Sequence, residues 1–452
     1  MSIEIAQSLI RQKKFKNAKD HLEKLIKTNE ENINIYFFLG IANFELGNYE
    51  ESISNYDKCL KIDAKSINVL LNLATVKESY GEINEAKDIY QKIISINDNV
   101  VRAYYGLLNL SKDFLSQTHY KKIENINKNN ITLFEKSLCH FILSKNEKEK
   151  KNFKDEFIHL EHFHDNCFKS NLTFNKTSQY YYKNIIPNFY NKIVVKNIDK
   201  EKNSTKNIFP IFIVGLPRSG STLVEAILTS NEDNILTFGE NHSINMSILD
   251  QIGKKIFNKD FKIEKFNFEI DFNLLKKTII ERYSQFKSLD NSNIVLIDKS
   301  LENFYNLELI FKLFPNAKVL HCYRNNIDAV ISIYSSMLFE LSWSHKIEDI
   351  LDYMDNYLKV INFFKKKYPN KIMDINLEDL TISQDKLTQK IYNFCNLKWS
   401  KKSLEFYKRK NLKIRTLSNS QLRKKISKYN KKKYKDYFRF IEQYEKHYNW
   451  LK

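Results

Sequence analysis

A period of 34 residues near the start of the chain constrains the fold more than any other feature. Aligned from Asn34 and Asn68, Leu39 falls on Leu73, Gly40 on Ala74, Gly47 on Gly81, Ser52 on Ala86 and Tyr56 on Tyr90. Large and small residues recurring at that interval describe a helical hairpin, in which the small residues let two helices approach and the glycine closes the turn. A degenerate copy precedes it: Ala6, Ala18 and Leu22 stand one period before Gly40, Ser52 and Tyr56, with Lys13 where the turn glycine would be. A fading unit follows, around Tyr104 to Ile126. Such hairpins stack into a solenoid whose groove suits a peptide or protein. The same array would also serve as a spacer or a homodimer surface.

At 452 residues the chain has room for more than one domain. Residues 130–186 lack proline and glycine and keep a helical spacing, at Leu138 and Phe141 and then at Phe153, Phe157, Leu160 and Phe163. Asn197 to Asn207 is polar and aperiodic, the best linker candidate. Beyond it short apolar runs alternate with helical patterns: Ile211 to Val214, a helix over Ser219 to Leu228, Ile294 to Ile297, a helix through Phe314, and Ala317 to Cys322. Strands separated by helices predict parallel crossovers and an α/β sheet. The expected organisation is a helical repeat array at 1–125, a helical extension and linker at 126–200, and an α/β domain at 201–452.

Composition narrows the function classes. The net charge is +19, and residues 401–452 supply 18 − 4 = +14 of it. Lysine and asparagine abound everywhere while arginine is rare, the profile of A/T-rich coding, so the local excess at the C-terminal end says more than the total. No apolar run reaches the 18 residues of a membrane span. Five scattered cysteines without a metal-ligand spacing read as reduced thiols. Glu4 and the missing apolar core argue against a secretory leader. A cytoplasmic protein without a metal centre is expected.

Ile211 to Glu225 carries the chemistry: an apolar strand, then Gly215-Leu-Pro-Arg-Ser-Gly-Ser-Thr222, then a helix. Backbone N–H groups at a helix start bind phosphate oxygens, and Gly215 and Gly220 permit the tight turn. The spacing is near that of an NTPase phosphate loop, but Ser221 stands where that loop needs lysine. Arg218 instead supplies a forked cation and Ser219, Ser221 and Thr222 supply hydroxyls.

This loop resembles the 5′-phosphosulfate loop of sulfotransferases, close to the variant in tyrosylprotein sulfotransferases and their bacterial tetratricopeptide-repeat relatives; the 34-residue period is that of the same repeat. His321-Cys-Tyr-Arg-Asn-Asn-Ile-Asp-Ala-Val-Ile-Ser332 resembles the family's 3′-phosphate site. Phe238-Gly239-Glu240, Asp298-Lys299 and Leu313-Phe-Pro-Asn-Ala-Lys318 follow in the family's order, so the resemblance spans essentially the whole chain. It implies 3′-phosphoadenosine 5′-phosphosulfate as co-substrate, no metal, and transfer of a sulfuryl group to an acceptor hydroxyl.

By the same resemblance Pro217, Arg218, Ser219, Gly220, Ser221 and Thr222 hold the 5′ side and Arg324 and Ser332 hold the 3′-phosphate. Ser418, Gln421 and Lys433 belong to a segment closing over the nucleotide. Glu240 is the implied general base, with Lys299 and Arg218 stabilising the transferring group. Without the motif, Glu240 would read as a helix-capping residue. His242 and His321 adjoin motif residues, but the context around Glu240 fits the protein-tyrosine group. The chain departs from the family at Leu301 and Lys425, where relatives have proline, and the family's tyrosine before Glu-Asp-Leu has no match in Asn376-Leu377-Glu378-Asp379-Leu380.

The expected acceptor is a protein or peptide tyrosine, possible to hold on the repeats, with a glycan or small-molecule hydroxyl as the alternative. A P-loop kinase or NTPase is disfavoured by Ser221. A scaffold whose basic tail binds anions is the remaining reading, since Tyr429, Tyr434, Tyr437 and Phe438 interleave the basic run, although no nucleic-acid partner is expected.

Overall fold

The computed structural model describes residues 2–27, 32–196, 208–230, 235–258, 267–286, 294–409, 422–430 and 433–451. The linker candidate at 197–207 and the segment bearing Ser418 and Gln421 lie outside them. The chain divides into two compact units, one of Met1–His159, Arg282–Ser288 and Arg409–Arg423, the other of Leu160–Glu281, Leu289–Lys408 and Lys424–Lys452.

The first unit is a row of helical hairpins, α1 (Ile3–Arg11) with α2 (Phe15–Ile26), α3 (Ile33–Leu46) with α4 (Tyr49–Ile62) and α5 (Ile67–Tyr80) with α6 (Ile83–Ile96), followed by α7 (Val101–Leu110), which packs on α6 and α9, and by α8 (Gln117–Lys128) paired with α9 (Leu133–Glu149). The 34-residue pattern has a direct physical cause. A Cβ added to Gly40 would lie 2.5 Å from the Tyr56 ring, so the small residue on α3 is what admits the large one on α4. Ser52 then donates its hydroxyl to the Gly40 carbonyl at 2.7 Å. Gly47 and Gly81 close their turns at φ 81° and 105°, and Lys13 takes φ 57° at the matching place in the degenerate copy. A side chain there costs roughly 1–2 kcal/mol, and burial of Ala6, Ala18 and Leu22 offsets it. Glu78 of α5 is buried, accepting from Asn109 at 2.6 Å and Tyr90 at 3.4 Å. Arg423 donates to the carbonyls of Glu78 and Ser79 at 3.5 and 3.4 Å, filling space that a Cβ on Gly81 would take.

α10 (Phe153–Ser170) begins in the first unit and ends in the second, which continues through α11 (Leu172–Tyr180) and α12 (Ile186–Lys192). β1 (Ile193–Lys196) pairs in parallel with β4 (Phe268–Asp271) as a small separate sheet. The main sheet has five strands: β2 (Ile208–Gly215), β3 (Ile235–Thr237), β5 (Ile294–Asp298), β6 (Lys318–Tyr323) and β7 (Ile372–Asn376), in the order β3-β5-β2-β6-β7. Every pair is parallel. β2 is central, and Ile211 to Val214 are almost wholly buried, as a continuous apolar run in a parallel sheet requires. The helices are α13 (Ser221–Leu228), α14 (Ser243–Ile256), α15 (Phe272–Ser284), α16 (Leu307–Leu313), α17 (Asn326–Tyr334), α18 (Ile347–Lys367), α19 (Leu377–Ile382) and α20 (Gln384–Phe394).

Parallel strands bring all their carboxyl ends to one edge. After β2 the chain goes to β3 and β5 on one side and then to β6 and β7 on the other, so a crevice opens beyond Gly215 where the direction reverses. All five cysteines are buried and free. Among the described residues no helix is long and apolar enough to cross a membrane.

Candidate active site

The loop between β2 and α13 is shaped by its neighbours. Gly215 has φ 143°, and a Cβ there would sit 2.1 Å from the Cys322 carbonyl of adjacent β6. Gly220, the residue capping α13, has φ 87° and lies under Leu377, whose Cδ1 would be 2.6 Å from an added Cβ. Between them Arg218 adopts φ 67°, a left-handed conformation costly for a side-chain-bearing residue. Ser219 is buried and donates to the Leu216 carbonyl at 2.6 Å. Ser221 and Thr222 open α13, at the helix end where anions are favoured. Pro217 is half-buried in the same loop.

Register places the two proposed catalytic groups together. Thr237 of β3 lies opposite Ile297 of β5, the Phe238 amide donates to the Ile297 carbonyl at 3.1 Å, and the Lys299 amide donates to the Gly239 carbonyl at 3.0 Å. The next side chains meet: Lys299 Nζ is 2.7 Å from Glu240 Oε1 and 3.7 Å from Glu225 Oε2. The Lys299 side chain is 0% exposed, while that of Glu240 is 42% exposed, so the cation lies beneath a carboxylate at the mouth. Burial works against the charge on Lys299, but Glu240 and Glu225 outweigh it and hold its pKa above the ordinary lysine value. Burial likewise opposes ionisation of Glu240, and the Lys299 ammonium overrides it, leaving that carboxyl below its usual range. Thr237 donates its hydroxyl to Glu225. The cap of α14 is His242, not Glu240, whose carboxylate is turned to Lys299 instead.

The segment after Lys299 is held without the family's proline. Buried Asp298 accepts from the Ser300 amide at 2.8 Å and from Asn303 Nδ2 at 3.3 Å, and residues Leu301–Asn306 form a 3-10 helix. Ser300 Oγ accepts from the His242 amide at 2.9 Å. Glu302 is 3.0 Å from His242 Nδ1 and accepts from the Tyr182 hydroxyl at 2.9 Å. This His242–Glu302 pair beside Glu240 has no sequence signal, because the two residues meet only through the fold.

Arg324 follows β6 and is 7% exposed; Ser332 of α17 is 4% exposed. Arg324 Nη1 donates to the Arg218 carbonyl at 3.3 Å, linking the end of β6 to the loop after β2, and its Nη2 lies 3.6 Å from Asp328. Its buried Nε has no hydrogen-bond partner among the described residues. Burial lowers the pKa of Arg218, with Tyr434 opposing and Arg324 adding to the effect. Lys433 lies beside Tyr434, its Nζ 4.9 Å from the ring centre. Two contacts escaped the sequence reading: Tyr429, whose hydroxyl accepts from Arg324 Nη2 at 2.9 Å, and Tyr434, whose ring is 5.5 Å from the Arg324 guanidinium. Tyr434 and Tyr437 are 5% and 1% exposed, so these rings of the basic run are packed inward rather than presented to bases. His321 is enclosed between Asp374, at 2.7 Å from Nδ1, and the Tyr357 hydroxyl at Nε2, with burial as the main influence lowering its pKa. Ser418 and Gln421 are outside the described residues, as noted above.

Residues 210–401 match the Sulfotransferase family and residues 33–66 match the Tetratricopeptide repeat. An uncharacterized protein of Aquifex aeolicus (strain VF5) is 29% identical over 249 residues, covering 51% of this chain and 31% of that relative, so the chain spans about a third of its length. Among solved structures, the sulfotransferase domain from the curacin biosynthetic pathway is 16% identical, covering 48% of this chain and 83% of that one, with a TM-score of 0.29. Sulfotransferase STF1 of Mycobacterium tuberculosis H37Rv is 11% identical, covering 69% and 99%, with a TM-score of 0.31. The chain thus joins a tetratricopeptide repeat, matched at residues 33–66, to a sulfotransferase-family domain, matched at residues 210–401.

Proposed function

We propose that the second unit transfers a sulfuryl group from 3′-phosphoadenosine 5′-phosphosulfate to an acceptor hydroxyl, with a protein or peptide tyrosine as the acceptor. One observation carries the reading: a wholly buried ammonium, Lys299, lies between two carboxylates at the carboxyl edge of the sheet, and one of those carboxylates reaches solvent. The residues present fit the nucleotide. Gly215 and Gly220 let the loop pack closely against β6 and Leu377, which sets the start of α13 at the sheet edge, and Arg324 Nε is a buried donor without a hydrogen-bond partner among the described residues.

Pro217 to Thr222 would hold the 5′ side, and Arg324, Ser332 and Lys433 the 3′-phosphate, with Ser418 and Gln421 assigned by resemblance alone. When bound, the nucleotide supplies an activated sulfuryl group on a phosphate that can leave. Glu240, held ionised at the mouth, takes the proton from the acceptor oxygen as that oxygen attacks. Lys299 donates to the anionic oxygens of the transferring or leaving group, and Arg218 adds a second cation on the loop side. The two roles are coupled. As Lys299 turns toward those oxygens its hold on Glu240 weakens, and the carboxylate becomes a stronger base when a proton must be removed. Glu225, 3.7 Å from Nζ, keeps the lysine protonated meanwhile.

The test is transfer of radiolabelled sulfate from the donor into a lysate by the full chain, with the labelled species identified by mass spectrometry. Label on polypeptide tyrosine is expected, and far less with Lys299→Ala. Label on a glycan or small molecule would overturn the acceptor and leave the transfer standing. No label above the Lys299→Ala control would overturn both.

A further inference from the structure

The segment bearing Glu240 and the segment bearing Lys299 are joined by more than their ion pair. The Lys299 amide donates to the Gly239 carbonyl at 3.0 Å, and the His242 amide donates to Ser300 Oγ at 2.9 Å. The Glu302 side chain strengthens the join. Its Oε1 lies 3.0 Å from His242 Nδ1 and accepts from Asn245 Nδ2 at 3.3 Å, while its Oε2 accepts from the Tyr182 hydroxyl at 2.9 Å. Tyr181 donates to Asn245 Oδ1 at 3.0 Å. His242 takes φ 54°, a left-handed conformation that costs a side-chain-bearing residue and persists only where its surroundings hold it. One carboxylate thus ties together the start of α14, the loop after β5 and the helical extension.

Tyr181 and Tyr182 lie outside residues 210–401, the part matched to the Sulfotransferase family. A turn of π-helix, Tyr181–Ile185, presents them, and Pro187 follows near the start of α12, where it has no N–H for the carbonyl one turn back. The neighbouring side chains fix this turn to α18: Lys183 Nζ is 2.5 Å from Asp349 Oδ1, and Gln179 donates to Asp349 Oδ2 at 2.5 Å. Burial, and then the Glu302 charge, hold the Tyr182 pKa well above the ordinary tyrosine value, so the hydroxyl keeps its proton and donates. Glu302 does not help Glu240 as a charge. Burial and the Glu302 carboxylate both oppose ionisation of Glu240, and Lys299 with His242 overrides them. What Glu302 offers is geometry. We infer that Tyr182 is a positioning residue for sulfuryl transfer: through Glu302 it fixes His242 and the loop after Lys299, and so sets Glu240 against Lys299. This rests on the sulfotransferase reading and goes beyond it by giving the helical extension a part in the reaction. Misplacing a reacting group by about 1 Å can cost on the order of 10²-fold in rate, so a brace of a few hydrogen bonds is enough to matter.

A positioning role predicts a loss of rate without a loss of nucleotide binding, and a loss that depends on Glu302. The full-length wild type, Tyr182→Phe, Glu302→Ala and the double variant would be compared by two readouts. One is the initial rate of radiolabelled sulfate transfer from saturating donor into a lysate, counted over all acceptors; the other is calorimetric affinity for adenosine 3′,5′-bisphosphate. Tyr182→Phe is expected to transfer about 5- to 50-fold more slowly, with bisphosphate affinity within about 2-fold of wild type. Glu302→Ala should lose more, and adding Tyr182→Phe to it should change the rate by less than about 2-fold, because the hydroxyl has lost the group through which it acts. Losses that multiply in the double variant, or a Tyr182→Phe rate within about 2-fold of wild type, overturn the inference and leave sulfuryl transfer standing. Rate and affinity falling together overturn it in favour of a general loosening of the fold. No transfer by the wild type overturns the sulfotransferase reading and the inference with it.

Discussion

At the scale of single residues the proposed mechanism turns on the ion pair between Glu240 and Lys299. Their 2.7 Å contact keeps the carboxylate ionised and the amine protonated in the resting protein. Glu240→Ala is expected to lower turnover by about 10²- to 10⁴-fold while leaving bisphosphate affinity close to wild type; near-normal turnover would remove the base assignment. The pH dependence has a definite sign. The Glu240 pKa is lowered, so its charged form persists below the ordinary glutamate range, and the acid limb of kcat/KM should lie below that range too. In Lys299→Ala the opposing burial is left unanswered, and the limb, followed on the residual activity, should move up. A limb that stays in place would show that Lys299 does not control the base. His321 makes no comparable claim, because both ring nitrogens are already engaged by Asp374 and Tyr357.

Elements account for why these residues meet. Parallel pairing of β3 with β5 aligns Gly239 with Lys299, and pairing of β2 with β6 sets Gly215 against Cys322, one residue from Tyr323 and two from Arg324. In the repeats the deciding contact is between Gly40 on α3 and Tyr56 on α4, whose ring is 1% exposed and has no open side to move into. Gly40→Leu is expected to weaken that hairpin by roughly 1–3 kcal/mol. Hydrogen exchange of the full chain should then show lost protection in α3 and α4 and little change in β2; intact protection in α3 would contradict the close-approach account. These features were legible in advance because they are local. A 34-residue period, a glycine-bounded loop after an apolar strand and an arginine eight residues before a serine each declare themselves in short stretches of sequence. Lys13 at φ 57° even keeps the turn of a copy whose glycine has gone.

On the scale of the whole molecule, what sequence did not disclose is what only folding brings together. Glu225 reaches Lys299 from α13, His242 meets Glu302, and Tyr429 and Tyr434 arrive at Arg324 from about a hundred residues further along. In sequence those tyrosines looked like part of a basic, aromatic run open to several partners. Their contacts with Arg324 give them a defined place in the second unit. In the first unit, burial raises the Glu78 carboxyl to about 7, opposed by Asn109, Tyr90 and Arg423. A folded pKa above the unfolded value of about 4.3 means that this group favours folding most below the unfolded value, and that its contribution is lost as pH rises through about 7. Protection of α5 to α7 from hydrogen exchange, corrected for the intrinsic rate, should therefore decline from pH 5 to pH 8 in wild type and decline less in Glu78→Gln. Equal pH profiles would refute a protonated, buried Glu78. The central claim, that the crevice beyond β2 is built for a 3′-phosphorylated nucleotide, is tested most directly by calorimetric titration of the full chain with adenosine 3′,5′-bisphosphate and with ADP. Tighter binding of the bisphosphate by about tenfold or more, abolished in Arg324→Ala, is the expected result; equal or tighter binding of ADP would contradict it.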